Sequence, residues 1–598
     1  MRARFAFWMG HPKAHWYVIT IGLVLVAPSL FAGLWADDYF QYGLLNGVEV
    51  KQRNDLSLFN LFSFVNADPQ RRLQLMDMSL IPWWTAPHFH YNFWRPLAEI
   101  THYVDYVWLT QHEMLMHVHS LLWFAALLLT LRRLLETVSI HYIDGGGVES
   151  LAARRNLFVL LALAAYAWDS THGVTIAWLS NRGAIMSALF VLLVLLRHIK
   201  LRQQGGASHQ VMALLFLACA LLTAEIGVSA VAYLFAYAVF LDRAGPRRGL
   251  IALLPYVGVV AVWWVVYKQL GYGASGSVLY YVDPAENPGF FLRKLASRLP
   301  LFVGSQFGLI PAEFALFSPA LNAVAVTAGA FVFVWLMVLL RLLPSRRLAG
   351  FFLLGSLLSM LPISAAIPQD RNLMLAGIGG SGLVGLLMVA LWQLRHRMFG
   401  AKKFGVSSSV VVLIACHLVI SPLLLAPLSL TPRLLSAPST RAATSLDDDA
   451  KRIIAFNVPV LSVTYLMPTR FRLHEPLPEK FWSLTSSEAP TIVERVSDNV
   501  LRIRQEGGFL QQDDQLLRYP HTDPLHVGDK VALSGLDIEI VETLPDGRPS
   551  EILATFDHSL SDPQYQLMYW RDNEYHSFDL AVGAMRRLPD TEAVASRH

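Results

Sequence analysis

Eleven apolar runs, each 15 to 24 residues long, recur through the first 430 positions, near 16–35, 114–131, 156–170, 183–197, 210–224, 226–241, 249–267, 319–340, 348–366, 372–394 and 405–428. A helix of about 20 apolar residues crosses the ~30 Å hydrocarbon layer of a bilayer, so these runs predict about eleven transmembrane helices. One further stretch, Leu299 to Pro311, is too short and too punctuated for a span and reads as a re-entrant or interfacial helix. The first run is too long for a signal-peptide core and is read as a helix of the mature protein. Beyond residue 440 the period changes. Val527 to Glu542 alternates apolar and polar positions, the segment LPDGRP follows as a turn, and YQLMYW, DNE and YHSFDL form a second hairpin pattern. The expected fold is an α-helical polytopic membrane bundle over 1–439, with large loops at 36–113 and 271–318. A β-rich soluble domain, a small β-sandwich, is expected over 440–598.

Charge sharpens this division. Asp, Glu, Lys and Arg make up 41 of the last 159 residues, 16 basic and 25 acidic, against 51 in the 439 before them. A soluble protein averages about 25% charged residues, so only the tail has a soluble composition. The basic residues of the bundle lie in short clusters between apolar runs, which excludes a compact nucleic-acid-binding module. Cys219 and Cys416 both fall inside apolar runs and read as small buried hydrophobes, not as a disulfide framework. No repeat of 20–50 residues is evident.

Segments 1–15, 132–155, 197–208, 241–248, 341–347 and 395–403 carry 20 Lys and Arg in 75 residues. The alternate segments 169–182, 225 and 367–371 carry only Arg182 and Arg371. Lys and Arg accumulate on the cytoplasmic side of membrane proteins, which puts the first set and the N-terminus inside. An odd number of spans then puts the tail and both large loops outside. No Asn-x-Ser/Thr sequon occurs, which favours a bacterial inner membrane with a periplasmic tail.

The segment GLWADDYFQYG, 33–43, places Asp37 and Asp38 where the first apolar run ends. Carboxylates at that depth lose part of their hydration, which suits a general base or a metal ligand, although a plain acidic helix end has the same composition. Glu225 lies between two apolar runs, where an ionisable group is costly and marks a functional position unless it pairs structurally, for instance with Arg182. Arg95 reads either as a phosphate ligand or as a snorkelling interfacial residue. Arg371 reads as a phosphate ligand or as a partner of Asp370, and Asn181 and Arg182 as a cap and first residue of a helix.

These segments, taken in order, resemble the GT-C membrane glycosyltransferases. The likeness is nearest to the transmembrane O-mannosyltransferases with tetratricopeptide repeats and to the protein O-mannosyltransferases. The resemblance rests on the acidic pair, on NFWRPLAEITHYVDYVWL with MHVHSLLWFAALLL, on STHGVTIAWLSNRGAIMSALF, on LLTAEIGVSAVAYLFAYAVFLD and on PQDRNLMLAGIG, and spans about residues 16–395. Ala224 stands where the family pattern has Lys, and the tail lacks tetratricopeptide repeats. The resemblance implies a sugar donor linked to a polyprenyl phosphate, inversion at the anomeric carbon, Asp37 or Asp38 as general base, and Arg371 and then Arg95 on the donor phosphate. It brings in Glu99, His102, Asn181, Arg182, Glu225 and Asp370 as supporting residues. Two adjacent carboxylates can hold a divalent cation, Mg or Mn, against phosphate oxygens, or act without one; both alternatives stay open. The acceptor, whether protein, glycan or lipid, is not legible.

His88, His90, His102, His112, His117 and His119 crowd one region without the spacing of a zinc site. Trp83, Trp84, Trp94 and Trp108 suit an interfacial aromatic belt. The loop 271–318 reads as a lid or as a connector ending in an interfacial helix. Two other function classes fit the composition: a transporter or flippase of a lipid-linked substrate, and a non-catalytic assembly protein whose tail binds a partner. Paired repeats with broken helices, expected of many transporters, are not readable.

Overall fold

A computed structural model describes residues 13–47, 59–66, 68–142, 148–276, 281–447, 449, 451–486, 489–511 and 515–588. The chain forms two compact units. The first gathers Met1–Leu34, Trp94–Gln269 and Pro284–Arg433. The second gathers Trp35–Phe93, Leu270–Asp283 and Leu434–His598.

The first unit is helical, as a chain in hydrocarbon must be, because only a helix satisfies every backbone donor and acceptor within its own segment. Among the described residues eight helices are long and apolar enough to cross a membrane, or nine if the bent pair Leu151–Ala167 and Ser170–Ala177 is one span. The helices Ala207–Thr223 and Glu225–Phe240 are apolar but shorter. The expected eleven is therefore reached only by adding both. The outward faces of the long helices are apolar, with Val24, Leu122, Val262, Phe331 and Leu423 exposed, as lipid contact requires and water would not favour.

The helix Ala376–Leu394 runs through the middle of this unit and is buried along almost its whole length. Its small residues let neighbours approach. A Cβ on Gly379 would stand 2.4 Å from the Phe352 carbonyl oxygen, and one on Gly385 2.6 Å from the Ala162 nitrogen. Such close backbone approach is how helices associate where apolar burial gives no driving force. The stretch Leu299–Pro311 is not a separate short helix. Most of it is the second half of the 21-residue helix Pro288–Gly308. Leu301–Phe307 is buried, because that half packs on the helix Pro319–Leu340.

In the second unit, strands β1 (Ser63–Val65), β2 (His90–Asn92) and β3 (Gly273–Ser275) form a small antiparallel sheet. The tail supplies β4 (Arg452–Phe456), β5 (Lys480–Ser483), β6 (Thr491–Ser497), β7 (Val500–Gln505), β8 (Lys530–Leu533), β9 (Leu536–Thr543), β10 (Pro549–Phe556), β11 (Tyr565–Arg571), β12 (Glu574–Ser577) and β13 (Met585–Leu588). Six strands form a sheet in the order β13-β6-β7-β10-β9-β8, and four form another in the order β12-β11-β4-β5. Both expected hairpins are present, β9–β10 across the LPDGRP turn and β11–β12, and the alternating run Val527–Glu542 itself folds into a further hairpin, β8–β9. Asp572 and Asn573 take positive φ of 54° and 63° at the β11–β12 turn, the conformation a two-residue hairpin needs.

The tail is nevertheless not a simple antiparallel sandwich. β4 runs parallel to both β5 and β11, and a parallel neighbour requires a crossover. The helix Val460–Leu473 provides it. Residues of both sheets share one core, including Ile454, Trp482, Ile503 and Ile552, while Val463, Leu466 and Met467 of the crossover helix pack with Ile453, Ala455 and Phe481 on the other face of the four-stranded sheet. Trp83 and Trp84 belong to the shared core and are buried. The aromatic-belt expectation is corrected for these two residues; Trp108 is exposed.

Candidate functional site

The first apolar helix, Ala14–Val26, ends in a 3-10 turn, Ala27–Phe31, that Pro28 favours. Gly33 then takes φ +72° and Ala36 φ +49° with ψ −114°. Positive φ is strained for alanine, and such strain concentrates where a site must be held in one geometry. The helix Asp37–Asn46 starts directly after it. Successive helix positions point about 100° apart, so the two carboxylates part at once. Asp38 is fully buried and its Oδ2 accepts from the Trp35 backbone N–H at 3.1 Å. Asp37 is half-buried and its Oδ1 accepts from the Tyr465 hydroxyl at 2.7 Å.

This arrangement does not fit the divalent cation that adjacent carboxylates could hold. The two acids diverge, Asp38 is turned onto its own backbone, and among the described residues no three His, Cys, Asp or Glu side chains gather as ligands. The crowded histidines form no metal cluster among those residues either.

Arg95 and Glu225 meet, although 130 positions apart. Arg95 Nε and Nη2 both donate to Glu225 Oε2, at 2.9 and 2.7 Å, and the Tyr267 hydroxyl reaches Oε1 at 3.4 Å. Glu225 therefore pairs with Arg95 and not with Arg182. Glu99 and His102 are fully buried on the helix Pro96–Tyr103. Burial first, then the positive charge of Arg182, holds the His102 imidazole well below its usual range, so it is neutral at physiological pH.

Asn181 precedes the helix Arg182–Gln204 but makes no side-chain cap. Arg182 turns inward, fully buried, and forms an ion pair with Asp105. Its Nε donates to Ser120 Oγ at 2.9 Å and its Nη2 to the Met116 carbonyl at 2.9 Å. Asp105 also accepts from His119 Nδ1 at 2.9 Å, while His119 Nε2 accepts from Trp123 Nε1 at 3.1 Å. Asp105 sits in a π-turn, Val104–Trp108, a distortion common at functional positions. Nothing local in the sequence marks this pairing beyond an acid in an aromatic stretch.

Asp370 and Arg371 turn to different partners. Asp370 Oδ1 accepts from Ser305 Oγ at 2.6 Å and from the Ala312 N–H at 2.8 Å, and its own N–H donates to Glu313 Oε1 at 2.8 Å. Burial, then the negative charge of Glu313, pushes the Asp370 carboxyl up to about 8. Arg371 donates from Nε to Gln369 Oε1 at 2.6 Å, and its guanidinium lies 4.6 Å from the Trp178 ring centroid. Among the described residues no acceptor meets its two Nη nitrogens. That leaves the forked end of Arg371 disposed toward an oxyanion, whereas Glu225 occupies the fork of Arg95.

Sequence reasoning passed over a buried polar group at the bend of the pair Leu151–Ala167 and Ser170–Ala177. Asp169 Oδ2 accepts from Gln306 Nε2 at 3.2 Å and Oδ1 from the Thr171 N–H at 3.0 Å. His172 is buried with its ring 4.4 Å from that of Tyr166. His417 is buried in a second π-turn, Ala415–Ile420. The motif STHGVTIAW contains His172, but nothing in the sequence links it to Gln306.

No protein-family model matches the chain, and no curated protein matches it.

Proposed function

We propose that the chain is an inverting glycosyltransferase that moves a sugar from a polyprenyl-phosphate carrier to an acceptor on the periplasmic face of a bacterial inner membrane. The observation that carries the proposal is the contrast within the acidic pair. Asp38 is buried and held to its own backbone, while Asp37 stays half-exposed at the first turn after the first apolar helix. Asp37 is the base. In the reaction the acceptor hydroxyl oxygen bonds to the anomeric carbon, the bond from that carbon to the phosphate oxygen breaks, Asp37 takes the hydroxyl proton, and polyprenyl phosphate leaves with its negative charge. Arg371 is the residue for the donor phosphate. Arg95 and Glu225 are a fixed ion pair that supports the fold of the first unit.

Eleven spans follow if the bent pair counts as one and both short helices cross. Ala207–Thr223 has 17 residues, a length of about 25 Å at 1.5 Å per residue, which a bilayer accommodates by local thinning. On this reading the count is odd, and the tail lies on the side opposite the basic loops.

Purified protein supplied with a polyprenyl-phosphate sugar and candidate acceptors tests the reading. Asp37→Asn abolishes transfer with the fold retained, and Arg371→Ala raises the KM for the donor at least tenfold. Transfer by Asp37→Asn at the wild-type rate removes the proposal. The bend at Asp169 is the observation that favours transport instead, since broken helices with buried ionisable groups occur in transporters. Movement of a fluorescent lipid-linked sugar across proteoliposomes, without transfer, decides for that second reading.

A further inference from the structure

The tail lies between residues 434 and 598, yet one of its side chains reaches the acidic motif. We infer that Tyr465 is a positioning residue for Asp37, so that the C-terminal segment completes the catalytic constellation instead of serving only to bind an acceptor. The inference rests on the assignment of Asp37 as base.

Tyr465 lies on the crossover helix Val460–Leu473. Its neighbours Val463, Leu466 and Met467 face the core of the four-stranded sheet, whereas Tyr465 is only half-buried and is not part of that core. Its hydroxyl donates to Asp37 Oδ1 at 2.7 Å, the short distance expected of a hydroxyl on a carboxylate. The contact is one point of a seam within the second unit. Further along, the Tyr42 ring meets Phe471, with centroids 6.2 Å apart, and Arg472 lies 5.0 Å from the Tyr42 centroid. The two helices thus run in the same direction along the seam.

The chemical consequence is specific. A carboxylate at the first position of a helix can rotate about two bonds. A donor on Oδ1 restricts that rotation and so holds the carboxylate in one rotamer. A donor also favours the ionised form, the form that accepts a proton. The rotamer is set before substrate arrives, which is the condition for efficient proton transfer from a positioned hydroxyl.

Tyr465→Phe keeps the ring and removes only the donor. Its transfer rate in the purified full-length protein should fall about tenfold, with the donor KM within about twofold of wild type, since a hydrogen bond to a charged group that acts in the chemical step has been lost. The acid limb of kcat against pH should move upward by about one unit, because the ionised base has lost a donor. Phe471→Leu loosens the same seam without touching the carboxylate, and should lower the melting temperature while leaving the acid limb in place. A Tyr465→Phe protein with wild-type kcat and an unmoved acid limb overturns the positioning role, and so does an equal shift of the limb in Phe471→Leu. Failure of the base assignment is read separately: in that case Asp37→Asn is active whatever Tyr465→Phe does.

Discussion

At the scale of single residues, identity alone did not distinguish the two acids of the motif; burial and hydrogen bonding did. The same holds for Asp370. Its carboxyl, pushed up to about 8 by burial and by Glu313, carries a proton in the native state that the unfolded chain releases near pH 4. Between those values the native state binds more protons than the unfolded one, so this group's contribution to stability is fully present below pH 4 and is lost as pH rises to 8. Asp370→Asn keeps the acceptor for Ser305 and Ala312 and the neutral charge at every pH. Melting curves in detergent should therefore fall with pH more steeply for wild type than for Asp370→Asn, by up to ~1.4 kcal/mol per pH unit across that window. Parallel curves would show that the proton on Asp370 is not linked to folding.

At the scale of elements, the helices form because their residues are apolar, but they pack where residues are small. The backbones of Pro319–Leu340 and Pro288–Gly308 nearly touch: a Cβ on Gly329 would overlap the Pro300 carbonyl oxygen and stand 3.4 Å from the Gly304 nitrogen. Gly329→Ala must push the two helices apart and should destabilise the protein by about 1–3 kcal/mol, the usual cost of overpacking. Gly258, also within a helix, has nothing within 4 Å of its would-be Cβ. Gly258→Ala should be neutral or stabilise by up to ~1 kcal/mol through helix propensity alone. Thermal unfolding of the pair separates packing from propensity; equal shifts would refute the packing account. The β elements show the same contrast. Their hairpins follow from local alternation and turn residues, whereas the parallel pairing of β4 with β11 joins segments about 110 positions apart.

At the scale of the whole molecule, composition divides the chain near residue 440, but the folded units do not follow that division alone. Residues 35–93 and 270–283 join the tail, and Trp83 and Trp84 supply part of its core. Loops expected at the membrane edge thus belong to a folded unit with the C-terminal β-rich segment. If the charge bias orients the bundle as proposed, that unit is outside. Leu477 is exposed in the tail, so Leu477→Cys should be labelled by a membrane-impermeant maleimide in cells whose outer membrane alone is permeabilised, above the labelling of the parent chain with Cys219 and Cys416. Labelling only after the inner membrane is lysed would place the tail in the cytoplasm and remove the proposed orientation.

What the sequence determined by itself are the properties carried by neighbouring residues: apolar runs of spanning length, the alternation of basic and uncharged loops, the hairpins at 544–549 and 572–573, and an acidic pair at the end of the first run. Each follows from hydration and backbone geometry within one stretch of chain. The tertiary structure alone decided which acid stays accessible, that Arg95 pairs with Glu225 and Arg182 with Asp105, that Leu299–Pro311 belongs to a longer helix, and that Tyr465 meets Asp37 across 428 positions. Such pairs depend on how separate elements pack in space, and a charge far along the chain has no local pattern from which its partner can be read.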